Sequence, residues 1–403
     1  MNSNNPNLFK RISSKFHYIN WPYYWLGHSS NNGDSQNPKW VVFFGNDFYS
    51  TTGIDYNKFI TRTNQCLDYV RKNCAGCELI YRPHPEEREE IKSLGLSSFV
   101  VQRDGQTAEE FLLANRMNVK YSFSFCSTSS IASLSLGVNS YVFYRCFADI
   151  FDGTNKIVTD NYLKGLPESF FINNFETPLV ENKLQLNEDA PTKESFRNIL
   201  TEHKGPVWFT VTENRYLLTI LGLTKMIKTL FPERKVGLII SRHHRWTADK
   251  LKYLQNQFDK VLSFPRIFYS LKPSRLISAF MISRKIKKIK LEPDSVLIGL
   301  AHHDFVENCF MSYNRDKFKL AILPESVWRL NFKTEDLGFD TNKFAFNKAS
   351  FFFNHFLEPV LGLNRTRFMH HEKGSNMYFI RLHKPIEDIY DKVLLIKNFP
   401  VDF

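Results

Sequence analysis

No stretch of the chain approaches the ~18 consecutive apolar residues that a membrane-spanning helix requires. The first 40 residues are polar and aromatic and lack the apolar centre of a secretory signal. Gly-x-Gly-x-x-Gly and Gly-x-x-x-x-Gly-Lys-Ser/Thr are both missing, which removes the usual support for a nicotinamide-binding or P-loop enzyme. Cysteine is sparse: Cys66, Cys74, Cys77, Cys126, Cys146 and Cys309. Cys74 and Cys77 form one C-x-x-C, but no second pair and no His pair follows at the spacing of a zinc site. A chain of 403 residues buries enough surface to need no disulfide framework, so reduced thiols in a cytoplasmic protein are expected. Zinc-finger, RNA-binding aromatic and leucine-zipper patterns are absent, as is any short-period repeat.

What remains is a composition ordinary for a globular protein, 43% apolar and 23% charged. The length suits two domains. The 38 phenylalanines go with frequent Asn, Lys and Ile, as in an AT-rich coding sequence, and are not read as function. Fifty-three Lys and Arg against 41 Asp and Glu leave a net charge of +12, which favours an anionic partner: a nucleotide-sugar, an acidic glycan, a membrane surface or nucleic acid. The charge is spread along the chain except at Arg284–Lys290, where cations alternate with isoleucine.

The pattern predicts an α/β fold of two Rossmann-like lobes. Residues 1–38 read as a lead-in that ends in a turn-rich linker. Residues 39–150 alternate short apolar strands (Trp40–Gly45, Glu78–Tyr81, Ser98–Val101, Val119–Phe125, Ser140–Tyr144) with helices near 55–73, 107–115 and 127–136, the signature of a parallel sheet. Residues 151–205 read as a connecting region whose last helix runs near Thr192–Glu202. A second such series fills 206–403, with strands at 207–211, 236–241, 260–264, 295–300, 318–323, 377–381 and 393–396. Its helices include 215–230, 273–287, 302–313 and 348–361.

Two segments carry anion chemistry. Tyr81-Arg82-Pro83-His84-Pro85-Glu86 closes a strand, where ligands bind in open α/β sheets. Two prolines fix the backbone around His84, and the imidazole beside Arg82 can donate to a phosphate. About 45 residues on, Phe125-Cys126-Ser127-Thr128-Ser129-Ser130 stands at a strand-to-helix junction, where hydroxyls and helix N–H groups accept an anion. Each alone is as readily a rigid turn or a helix cap. Together on one predicted sheet edge they point to a nucleotide site.

In the second series the strand ends carry Glu213, Asp304 and Glu325, candidates for a catalytic base or nucleophile among which the residues leave the choice open. Arg242 and His243, followed by His244 and Arg245, form a basic cluster suited to a sugar carboxylate. Adjacent histidines point apart, so that cluster is not read as a metal site. His370-His371-Glu372-Lys373-Gly374 reads as a loop, with Arg365 and Arg367 upstream.

The order from Val41 to Tyr144, strand, helix, strand-Arg82-Pro83-His84-Pro85, helix, strand-Ser/Thr-Ser-helix, resembles the bacterial CMP-sugar transferases, which include sialyl-, polysialyl- and Kdo-transferases. The resemblance implies a GT-B-like pair of lobes. It assigns His84 to the CMP phosphate and leaving group, and Ser129 and Ser130, with Ser127 and Thr128 as alternatives, to the same phosphate. The family's acidic pair followed by Gly, which supplies the base, has only Glu325-Ser326 as counterpart after Leu323-Pro324. The His-Pro lobe comes first here, an order similar to retaining β-Kdo transferases of surface polysaccharides; inverting and retaining courses both stay open. The expected donor is CMP linked to Kdo or a sialic-acid-like sugar, with no metal or other cofactor. The expected acceptor is a lipid-linked or oligosaccharide glycan, at peripheral contact with the inner membrane, and no nucleic acid is expected. A UDP- or CDP-linked donor, or a non-catalytic glycan-binding module, are the alternatives.

Overall fold

The computed structural model describes residues 16–19, 24–27, 38–46, 54–84, 87, 90–150, 156, 159–160, 163, 166–181, 190–211, 217–242, 247–299, 304–324, 349, 352–363, 369–371, 377–379 and 389–396. The first described element is β1 (Phe16–Ile19), a strand whose partner lies near the other end of the chain. The expected lead-in therefore contributes to a sheet.

The first lobe follows. β2 (Trp40–Phe44) leads to α1 (Tyr56–Asn73), which Asp55 caps by accepting the Lys58 N–H at 2.9 Å. Phe59, Cys66, Leu67 and Val70 recur at helical spacing and form its buried face. Next come β3 (Glu78–Arg82) and β4 (Val100–Val101), the latter an exposed edge shorter than the sequence suggested. α2 (Ala108–Asn115) opens with a reciprocal capping box between Thr107 and Glu110. β5 (Val119–Ser124), α3 (Thr128–Ser135) and β6 (Asn139–Val142) complete the lobe. The sheet order is β4-β3-β2-β5-β6 and every pair is parallel. The strand order reverses direction between β2 and β5, the switch point of a doubly wound sheet.

Strand alternation gives the sheet two chemically distinct faces. Tyr81, Phe43, Phe123 and Tyr141 are direct cross-strand partners on β3, β2, β5 and β6. Their rings stack in two pairs, with centroids 5.7 Å apart for Phe43–Tyr81 and 5.3 Å for Phe123–Tyr141, and Phe143 joins the pairs into one ladder at 6.1 Å from Phe43 and 5.8 Å from Phe123. The other face is small and polar where α3 packs: Ser122 donates to Ser140 at 2.8 Å, and Ser124 and Ser130 share a 2.6 Å hydrogen bond.

The connecting region divides. Leu166, Phe170, Phe171 and Ile172 join the first lobe's core, and the Ile172 N–H donates to the Val142 carbonyl at 3.0 Å. α4 (Ala190–Glu202) goes with the second lobe. That lobe continues with β7 (Val207–Val211), α5 (Leu217–Leu230), β8 (Val236–Arg242), α6 (Ala248–Gln257) and β9 (Lys260–Pro265). Then come α7 (Pro273–Lys287), β10 (Val296–Gly299), α8 (Phe305–Tyr313) and β11 (Phe318–Pro324). The helix expected over 348–361 is a π-helical turn, Phe353–Leu357, running into Glu358–Val360, where Pro359 has no N–H for the ladder. β12 (Met369–His371) and β13 (Met377–Phe379) pair antiparallel, so His370 and His371 lie on a strand rather than in the expected loop. β14 (Lys392–Ile396) closes the series. The order β1-β14-β11-β10-β7-β8-β9 is again wholly parallel, with its switch point between β7 and β10.

Two Rossmann-like α/β lobes are thus present, each built on its own parallel sheet.

Candidate functional site

In the first lobe, Phe44 is in register with Arg82 on one side and Ser124 on the other. The chain therefore leaves β2 at Gly45-Asn46, β3 at Pro83-His84 and β5 at Phe125-Cys126-Ser127 on the same carboxyl edge. Adjacent strands are ~4.8 Å apart, so the β3 and β5 exits stand about 10 Å from each other across β2. Asn46 donates its side-chain N–H to the Cys126 carbonyl at 3.4 Å, across the switch point. His84 and the start of α3 share the edge at which doubly wound sheets bind ligands.

The His84 turn is held from beneath. Glu87 is fully buried and takes the Tyr81 hydroxyl, and it accepts the His84 backbone N–H at 2.9 Å. The Glu87 N–H returns to the His84 carbonyl at 2.9 Å, and Arg103 donates to the Glu87 carbonyl at 2.6 Å. Gly45 leaves the room this needs: a Cβ there would run into the Glu87 carboxylate and stand 2.6 Å from the Tyr81 hydroxyl oxygen. The imidazole is half-buried on this fixed turn.

Arg82 has another occupation than the sequence suggested. Its guanidinium is buried, donates to both Asp104 oxygens at 2.8 Å and to the Gln106 carbonyl at 3.2 Å, and lies 4.1 Å from the Phe111 ring centroid. That geometry satisfies the fork and locks β3 to the 102–107 loop. The same arginine holds the Asp104 carboxyl below its ordinary range, chiefly through the hydrogen bonds and against the opposing effect of burial.

At α3 the serines separate by depth. Ser127 caps the helix, accepting from the Ser129 N–H at 3.2 Å and the Ser129 hydroxyl at 2.7 Å. Ser129 and Ser130 are buried, and Ser130 is tied to Ser124 on β5. Thr128 opens the helix. Of the expected phosphate ligands whose side chains are described here, Ser127 is the half-exposed one, while Ser129 and Ser130 hold the helix start in place.

In the second lobe, Asp304 lies just past β10, caps α8 by accepting the Val306 N–H at 2.8 Å, and accepts the Ser241 hydroxyl from the end of β8 at 2.9 Å. Burial pushes its carboxyl up, against these hydrogen bonds and the charge of Arg266. Glu358, buried and bonded to the Tyr269 hydroxyl at 3.1 Å, is pushed well up by burial and secondarily by Asp304. Arg242 is exposed at the end of β8. Glu213, His243, His244, Arg245, His302, His303, Glu325, Arg365, Arg367 and Glu372 lie outside the described residues. Among the described residues no group of three or more His, Cys, Asp or Glu is arranged to hold a metal ion.

Sequence reading missed Glu87, Asp104, Asn46 and Glu358. Asp104 and Glu87 lie within 22 residues of the groups they hold, but nothing in the sequence marks which acid among many pairs with Arg82 or lies buried beneath His84.

No family model matches the chain, and no curated protein matches it. Among solved structures it is similar to a UDP-GlcNAc 2-epimerase from Neisseria meningitidis bound to UDP-GlcNAc, at 10% identity and TM-score 0.18, over 80% of this chain and 91% of that one. It is also similar to the wall teichoic acid polymerase TagF, at 11% identity and TM-score 0.20, over 75% of this chain and 74% of that one. Scores this low carry no argument about function, and the fold stands on the two sheets described above.

Proposed function

We propose that the chain is a GT-B-like glycosyltransferase that moves an acidic 2-keto sugar, Kdo or a sialic-acid-like sugar, from its CMP donor to a bacterial surface polysaccharide acceptor. The observation that carries the reading is the shared carboxyl edge of the first lobe, where the His84 turn and the Ser127-capped start of α3 flank the switch point. The leaving group of a CMP-sugar is CMP, which departs with a single phosphate while the sugar passes to the acceptor. Its charge is met by an imidazole and helix N–H groups, which act in place of a cation. Ser127 and the α3 start take the phosphate oxygens, and His84 assists departure. The second lobe supplies the carboxylate chemistry, assigned to Asp304, Glu325 or Glu213, and Arg242 with His243 takes the sugar carboxylate. The acceptor is a lipid-linked glycan at the cytoplasmic face of the inner membrane.

The test is turnover followed by mass spectrometry with CMP-Kdo and CMP-sialic acid, alongside equilibrium binding of CMP, CDP and UDP. Transfer from a CMP-sugar that falls ~10²-fold or more in His84→Ala is expected for a residue assisting the leaving group. Transfer at the parent rate in that variant removes the assignment. Preference for CDP or UDP moves the reading to another donor, and CMP binding without donor hydrolysis favours a glycan-binding module.

A further inference from the structure

From residue 260 to residue 291 the sequence holds nine lysines and arginines and no aspartate or glutamate. This stretch comprises β9, the loop after it and α7. α7 buries Ala279, Ile282, Ser283 and Ile286 against the lobe, a spacing that defines its inner face. Its outer face is not the polar surface expected of a helix on a water-soluble domain. Ile277 is 59% exposed, Phe280 47% and Met281 64%, and in the preceding loop Phe268 and Leu271 are each 48% exposed. Cations stand among them: Arg266 and Arg275 lie 5.4 and 5.9 Å from the Phe268 ring centroid, and Arg284 lies 5.7 Å from that of Phe280.

Singly exposed apolar residues need no explanation, but several on one helix face and the loop beside it, within an acid-free basic stretch, do. We propose that the outer face of α7 and the loop before it form a docking surface for an anionic phospholipid bilayer. The aliphatic and aromatic side chains enter the boundary between headgroups and acyl chains, and the arginines and lysines meet the lipid phosphates. Two features favour lipid over nucleic acid. Ile277, Met281 and Leu271 have no counterpart in base stacking, whereas acyl chains accept them. The cations also run to the helix end at Arg284, Lys285 and Lys287, where their long stems reach headgroups from apolar neighbours. No described helix is long and apolar enough to cross a membrane, so the contact is one of lying on the surface.

The loop leaves the carboxyl end of β9, so the patch begins on the sheet edge that also carries Asp304. This inference rests on the peripheral membrane contact of the reading above and gives that contact a surface. Its test needs no sugar donor, so the two fail separately: a chain that binds vesicles but transfers no sugar keeps the surface and loses the transferase.

The experiment is flotation of the full chain with vesicles of phosphatidylcholine alone or with added phosphatidylglycerol, at low and high salt. Binding to the anionic vesicles, weakened by salt, is expected. Phe280→Ser/Met281→Ser and Arg284→Ser/Lys288→Ser should each weaken it by about tenfold or more. Lys58→Ser/Lys72→Ser, which removes two exposed cations from α1, should leave it unchanged. Thermal melts verify that each variant is folded. Absence of parent binding to phosphatidylglycerol vesicles at low salt overturns the proposal, and that arm needs no variant. Equal loss in the α1 control reduces the effect to net charge and overturns it too. Tighter binding to single-stranded RNA, lost in the same α7 variants, assigns the surface to nucleic acid instead.

Discussion

Arg82 and Asp104 make one of the better-formed charge pairs of the first lobe, with two 2.8 Å hydrogen bonds and a buried guanidinium. Removing the acid leaves that fork with the Gln106 carbonyl and a ring face. Asp104→Asn is expected to destabilise the protein by about 1–2 kcal/mol, tempered by the partial solvent access of Asp104. The pH dependence has a definite sign. The folded carboxyl is held below its ordinary value of 3.8, so its contribution is complete above that value and is lost as pH falls through the lowered one. Denaturant unfolding should show a gap between parent and variant that is flat above about pH 5 and closes in acid. Gly45 sets a second constraint. Its missing side chain lets Glu87 and Tyr81 meet under the His84 turn. Gly45→Ala should cost about 1–3 kcal/mol, since the crowding falls on buried groups. It should weaken CMP binding as well, because Glu87 fixes the His84 backbone. Calorimetric titration with CMP beside a melting curve separates the two effects. Neither contact was legible beforehand: the sequence shows where an imidazole falls but not which acid lies beneath it.

At the scale of elements, legibility followed length and burial. Buried parallel strands are short apolar runs, and β2, β7, β8, β10, β11 and β14 could be located by that pattern alone. β1 could not, because Phe-His-Tyr-Ile is brief, stands in polar surroundings and gains its meaning from β14, near the far end of the chain. α3 was visible as a helix, but not the depth at which each serine would sit; that depends on α3 approaching the polar face of the sheet through Ser124 and Ser130. At α8 the cap of an element coincides with a candidate for the chemistry. Asp304 is its cap and also a candidate carboxylate. Asp304→Asn keeps a good capping side chain and relieves a buried charge, so folding stability near neutral pH should stay within about 1 kcal/mol of the parent. Because burial raises the native carboxyl above the unfolded one, the parent loses stability as pH rises from 3.8 through that raised value, and the variant should lack this slope. Sugar transfer should nevertheless collapse if Asp304 is the base or nucleophile. Retained transfer in a folded Asp304→Asn protein shifts the role to Glu213 or Glu325.

At the scale of the whole molecule, the first lobe is an insertion. The chain lays down β1 in the second sheet, builds the first lobe, and then returns to complete the second from β7 onward. Among the described residues the first lobe is therefore continuous in sequence, with an aromatic ladder and core of its own, while the second is closed only when β1 meets β14. The consequence is an asymmetry on dissection. A fragment of residues 38–181 holds every strand of its sheet and should unfold cooperatively and retain binding to CMP. A fragment of residues 189–397 lacks β1, which leaves the ladder edge of β14 open along Val393–Ile396. An unprotected parallel edge of this kind invites association with other copies. That fragment should melt below the second transition of the full chain and aggregate on concentration. A peptide spanning residues 14–20 added in trans should raise its melting temperature by re-forming the β1–β14 pair. If the fragment is equally stable with and without the peptide, the edge strand contributes nothing to the lobe, and the topological account of why residues 16–19 belong with the last part of the chain has to be given up.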